Sequence, residues 1–141
     1  AETTIEDVNS YTITGTINSD GTITGGNVVG ISTSEDLIAL QYGNQSYEGY
    51  TFVLTNDITL NTSPEDGMGD NLWRYGIGCD TTFAGTFDGQ GHTISGIYMN
   101  TDNAMTGFIR GTDSMSLVKD VKIVDSYIKN SMPNSNKLYD L

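Results

Sequence analysis

Short runs that alternate hydroxyl and branched apolar side chains, each closed by a glycine, constrain this chain more than any other feature. Thr12-Ile13-Thr14-Gly15, Thr22-Ile23-Thr24-Gly25 and Thr93-Ile94-Ser95-Gly96 are the clearest cases. Alternation with period two suits a pleated, half-buried strand, and β-branched residues favour that surface. The closing glycine then permits the positive φ of a sharp corner. Asp20-Gly21, between the first two runs, is a tight-turn signal. A chain written this way folds from many short strands and corners. The composition agrees: 36% hydrophobic residues with 17 glycines among 141 residues is too little apolar surface for a helical bundle, and the length suits one domain.

The expected layout is a single domain over 1–141, with N-terminal strands or a cap over 1–33, a short helix over 34–43, stacked strands over 50–130 and a tail over 131–141. Thr33 or Ser34 can cap the helix, Glu35 and Asp36 favour the positive end of its dipole, and Leu37, Ile38 and Leu40 form an apolar stripe that Gly43 ends. A helix of about two turns does not stand alone, so it must pack on an apolar surface. The run 93–99 can be laid on 117–123 at an offset of 24 positions, so that Ile94 meets Val118, Ile97 meets Val121 and Met99 meets Ile123. A repeat near that length is one coil of a parallel solenoid, in which stacking buries the inward face that one coil cannot bury alone.

Phe83-Ala84-Gly85-Thr86-Phe87-Asp88-Gly89-Gln90-Gly91-His92-Thr93-Ile94-Ser95-Gly96-Ile97 resembles the F-x-G-T-F-D-G-x-G-H-T-I run of bacterial surface proteins with GLUG-type β-helix repeats. Leu54-Thr55-Asn56-Asp57-Ile58-Thr59-Leu60 is similar to the L-x-x-D-I-x-L strand of that family. Trp73-Arg74-Tyr75-Gly76-Ile77-Gly78 is similar to its W-x-P-I-G, with Gly76 in place of proline. Gly107-Phe108-Ile109-Arg110-Gly111 stands where G-L-F-G is usual, with an inserted arginine. The resemblance covers roughly 31–130. It implies an all-β fold, a right-handed parallel β-helix (a short solenoid) with a short N-terminal capping helix. It also implies a secreted or cell-surface location and a structural or adhesive role, without chemistry. The His-Glu-x-x-His zinc motif of proteases that carry such repeats is absent, and the chain has one histidine.

Charge narrows the partners. Residues 1–73 hold eleven acids and no lysine or arginine, whereas 74–141 hold seven acids and six bases, within a formal net charge of −12. So acidic a half repels phosphate backbones and anionic headgroups. No nucleic acid and no membrane insertion are therefore expected, and the partners expected are a protein or glycan at a cell surface, or other copies of the chain. The acidity fits solubility outside the cell or a surface tuned by cations. The opening Ala1-Glu2-Thr3-Thr4 resembles what a signal peptidase leaves. The lone Cys79 excludes an intrachain disulfide; it is a small buried hydrophobe or a cross-linking thiol.

Few residues suit chemistry, and no catalytic residue and no resident cofactor is expected. His92 follows a glycine turn with Asp88 four positions before it; the turn reading has Asp88 cap backbone amides and His92 bond to a neighbouring strand. Arg110 with Asp113 and Lys119 with Asp120 are the nearest base–acid pairs for a polysaccharide lyase, but no acidic cluster at strand spacing accompanies them. The loop carrying Glu65, Asp66 and Asp70 offers oxygen ligands for calcium, Asp66 and Asp70 foremost, without the spacing of a known calcium loop. Tyr47, Tyr50, Trp73 and Tyr75, with Tyr42, are candidate binding aromatics, or core and end packing. Beyond Tyr127-Ile128-Lys129-Asn130 the pattern stops in a polar tail with no amphipathic helix to cap that end. Either the tail folds over it, the chain is cut from a longer protein, or subunits stack end to end into filaments.

Overall fold

The computed structural model describes residues 10–62, 71–73, 75–78, 81–101 and 107–130, with backbone alone for 100, 101 and 128–130. Residues Glu65, Asp66, Asp70, Arg74, Cys79 and the tail over 131–141 lie outside them.

Corners set the path. β1 (Gly15–Ile17) and β2 (Ile23–Gly25) form an antiparallel hairpin with Gly15 opposite Gly25. Asp20 Oδ1 accepts from the Thr22 amide at 3.0 Å and the Thr22 hydroxyl at 2.7 Å, and Gly21 takes φ 87°. Of the two neighbouring Thr-Ile-Thr-Gly runs, the second becomes a strand; the first reaches β1 only at its glycine, and Ile13 remains exposed.

β3 (Val28–Ile31) then pairs in parallel with β4 (Thr51–Leu54), β4 with β6 (Thr86–Asp88), and β6 with β9 (Leu117–Lys119). With β1 beside β3, this makes a six-stranded sheet in the order β2-β1-β3-β4-β6-β9. β5 (Ile58–Thr59), β7 (Thr93–Ser95) and β10 (Lys122–Val124) form a second, parallel sheet. β8 (Tyr98–Thr101) and β11 (Tyr127–Asn130) form a third.

Between β3 and β4 the chain forms α1 (Ser34–Ala39). Thr33 is its N-cap, its hydroxyl accepting from the Asp36 amide at 3.1 Å. Regular helix stops at Ala39, short of the expected 43, yet Leu37 and Leu40 are fully buried in the same core as the strands. Gln41, just past the helix, accepts from the Tyr75 amide at 2.9 Å and the Gly76 amide at 3.0 Å, tying the helix to the segment after Trp73.

The expectation of an all-β, right-handed parallel β-helix is therefore corrected. The described residues form a mixed α/β arrangement: a six-stranded, mostly parallel sheet that begins in an antiparallel hairpin, two smaller parallel sheets, and a helix built into the core. The physical reason lies at the N-terminal side. Asp20-Gly21 reverses the chain, and the stretch after β3 is spent on a helix instead of strands in the other two sheets. The 24-residue register is corrected as well, since Ile94 pairs with Ile123 and Met99 with Ile128. Asp120, at φ 55°, breaks the run 117–124 into β9 and β10, which belong to different sheets.

The core is read in columns across the sheets. In the large sheet Val29, Phe52, Phe87 and Val118 are successive register partners, and in the second Ile58, Ile94 and Ile123 are. Val29, Phe52, Phe87 and Ile94 are fully buried and Ile58 nearly so, whereas Val118 and Ile123 are 38% and 43% exposed. Each column loses its cover at its last member.

Candidate functional site

The three last strands, β9, β10 and β11, are the edges on one side of all three sheets; among the described residues each pairs with one neighbour. Strand edges left this way present unpaired amides and carbonyls that template further pairing. Leu117, Val118, Ile123, Val124 and Tyr127 are each between 38% and 49% exposed along this edge. Beside them opens a groove of about 430 Å³ lined by Phe108, Ile109, Arg110, Val118, Val121 and Ile123 among others. Contiguous apolar surface of this kind marks an interaction site more often than scattered exposed residues do. Lys119, Asp120, Lys122 and Asp125 place both signs of charge along the same edge.

The outer face of β6 holds a second polar constellation. The buried Asp88 carboxylate accepts from the Tyr11 hydroxyl at 2.8 Å, the Gln90 amide at 3.0 Å and the Gln90 side chain at 3.1 Å, and Lys119 Nζ lies 3.7 Å away. Burial pushes its pKa up, but the Gln90 amide, the Tyr11 hydroxyl and the Lys119 charge outweigh it and hold the group below the ordinary aspartate value. Asp57 is depressed by the Thr93 amide and by His92, and Asp20 by Thr22. Depressed carboxylates stabilise the fold above the unfolded value of about 3.9 and lose that contribution as pH falls through the folded value. Stability therefore falls below about pH 4. Asp88→Ala costs about 1–3 kcal/mol by stranding its donors. Asp88→Asn keeps an acceptor, costs less and flattens part of the acid loss. Urea titrations at pH 7 and pH 3 check both.

His92 Nδ1 meets Asp57 Oδ1 at 3.1 Å, beside the Thr93 amide at 3.0 Å on the same oxygen. Asp57 is 73% exposed. This is a clip between the strand-flanking residues of β5 and β7, with the imidazole held by a carboxylate and not by a hydroxyl nucleophile. Lys119 reaches Asp88, and Asp113 caps a turn by accepting from the Met115 amide at 2.7 Å. The calcium candidates Asp66 and Asp70 lie outside the described residues. Among the described residues, no three His, Cys, Asp or Glu side chains gather to hold a metal. No helix among them is long and apolar enough to cross a membrane.

The candidate aromatics divide. Trp73 is fully buried, stacked on Phe108 at 5.2 Å, and Tyr47 is buried edge-on to Phe52 at 5.0 Å with its hydroxyl donated to the Gly21 carbonyl. Burial pushes the Tyr47 phenol up to about 12. Neither ring offers a face to a ligand. Tyr50 is half-buried on Phe52, and Tyr75 and Tyr42 stand out together, edge-on to one another at 5.7 Å. Sequence reasoning missed the Tyr11–Asp88 bond, which joins residues 77 positions apart and has no local signal. The exposed strand edge had one: the strand pattern of the sequence stops after Asn130. Comparisons with protein-family models, with curated proteins and with solved structures return no match to this chain.

Proposed function

We propose that this chain is a noncatalytic extracellular or cell-surface module with a structural or adhesive role, joined to its partner along the edge formed by β9, β10 and β11. The carrying observation is that the apolar columns of two sheets end in half-exposed members, Val118 and Ile123, instead of closing. A strand added there extends existing ladders and covers apolar side chains in one step, the mode of recognition called β-augmentation. The acidity of residues 1–73 and the likeness to surface-protein repeats support an extracellular setting. Asp88 and His92, outside the edge, are engaged in local structure.

The test incubates purified chain with protein-coated and glycan-coated surfaces and, in parallel, with a polysaccharide panel. Retention on a surface that falls at least tenfold in a Val118→Lys/Ile123→Lys double variant is expected, with no reducing ends released. Release of reducing ends overturns the noncatalytic reading. Retention indifferent to the double substitution removes the edge from the role.

A further inference from the structure

We propose that the partner along this edge is a second copy of the chain, bound tail to tail about a two-fold axis, so that assembly closes at a dimer whose two copies hold a surface more firmly together than one alone; this rests on the module reading above.

A filament built by head-to-tail stacking needs two ends that match, and among the described residues the two ends of this fold are built differently. On the far side of the large sheet the hairpin β1–β2 intervenes, and at the level of β3 the chain gives α1 to the core in place of strands for the other two sheets. Leu37, Ala39 and Leu40 are buried there. Asp20, in the β1–β2 turn, and Glu35 and Asp36, in the first turn of α1, stand on the far side, and residues 1–73 hold no lysine or arginine, so bringing it against any acidic copy is unfavourable.

The C-terminal edge differs on both counts. Its Lys119, Asp120, Lys122 and Asp125 carry both signs, Lys119 also lying 3.7 Å from Asp88, so the edge is repelled by its own duplicate less than the far side would be. A two-fold interface is isologous and needs this self-complementarity. The geometry also fits. β9, β10 and β11 follow one another around a single core, since Phe87, Ile94 and Met99, on their three register neighbours, belong to one buried cluster. A two-fold axis through the middle of that edge reverses their order. β10 then meets β10 of the other copy antiparallel, and β9 meets β11. Val118 and Ile123, left half-exposed in one copy, gain the next layer of their columns from the other, and the acidic ends point away from each other.

Sedimentation across micromolar concentrations tests the proposal, with Ile123→Cys in a Cys79→Ser background as a proximity probe. Paired antiparallel residues lie about 4.5–5.5 Å apart at Cα, within disulfide reach. A two-copy species is expected, cross-linked through Cys at 123 under mild oxidation, while Thr24→Cys at the opposite edge gives none. Val118→Lys/Ile123→Lys, on already exposed positions, is expected to weaken self-association at least a hundredfold with unchanged circular dichroism. Species that grow beyond two copies overturn the closed dimer. A monomer at every concentration overturns it too: slow hydrogen exchange at β9–β11 then assigns the cover to the chain itself, and fast exchange leaves the edge open for another protein. In neither monomer case does the module reading fall, because surface retention decides that separately.

Discussion

Trp73→Ala lowers the melting temperature by about 10 °C or more and costs about 3–5 kcal/mol. The indole is fully buried, stacks on Phe108 at 5.2 Å, and donates through Nε1 to the Phe108 carbonyl at 3.3 Å. Its own amide donates to the Tyr98 carbonyl at 2.9 Å, so the ring sits where the third sheet, the segment before Gly76 and the segment around Phe108 converge. Removing it empties the largest buried side chain of the core. Cavities of that size collapse only in part, which sets the upper range of the cost. Trp73→Phe keeps most of the packing and leaves the Phe108 carbonyl with the Ile77 amide as its donor, so an intermediate loss is expected. Calorimetry on the three proteins checks the order. A Trp73→Ala protein with unchanged melting but lost surface retention would move the indole from the core to the binding surface.

Gly96→Ala is expected to cost about 2–5 kcal/mol, from two sources. Gly96 has φ 77°, a region where a side chain costs about 1–3 kcal/mol. A Cβ there would also press into the backbone carbonyl of Asn61, and overpacking of a fixed backbone costs about 1–3 kcal/mol more. Asn61 is held from both sides, because its side-chain amide donates to the Gly96 carbonyl at 2.9 Å and the Asn71 carbonyl at 3.0 Å. The register supplies a control. Val124 pairs with Ser95, so Asp125, at φ 49°, occupies the same corner one layer on without glycine. Conformation alone is thus tolerable to an Asx residue. Gly96→Asn and Gly96→Ala are expected to be about equally damaging, because contact with Asn61 decides the outcome. A much milder Gly96→Asn in chemical denaturation would assign the effect to φ instead.

That pair of corners also shows what the sequence can and cannot convey. Gly21, Gly25 and Gly96 announce their turns because glycine is the usual solution at positive φ. Thr33 announces the helix start through its hydroxyl. Asp120 and Asp125 make equivalent corners with an ordinary side chain, so the run 117–124 reads as one strand when it is two. The register error follows, since the wrong alignment matched Ile94 to Val118 by side-chain type while the corners dictate Ile123. Side-chain type also fails to say where an aromatic points. Tyr47 and Tyr75 look alike in sequence, yet one is buried under the hairpin and the other is 43% exposed. The edge was more legible, since the strand pattern of the sequence stops after Asn130, but its apolar exposure and mixed charge needed the fold.

The hydrogen bond between Tyr11 and Asp88 bears on how the molecule is made. From β1 onward, apart from the hairpin arm β2, the large sheet adds strands in chain order, so layers can assemble vectorially as translation proceeds. Tyr11 cannot join in that way, because its acceptor lies 77 residues later. At about 5–20 residues per second the ribosome needs about 4–15 s to deliver it. Tyr11 is thus fastened later than the hairpin beside it, locking down only after the strand carrying Asp88 has been laid on its predecessor.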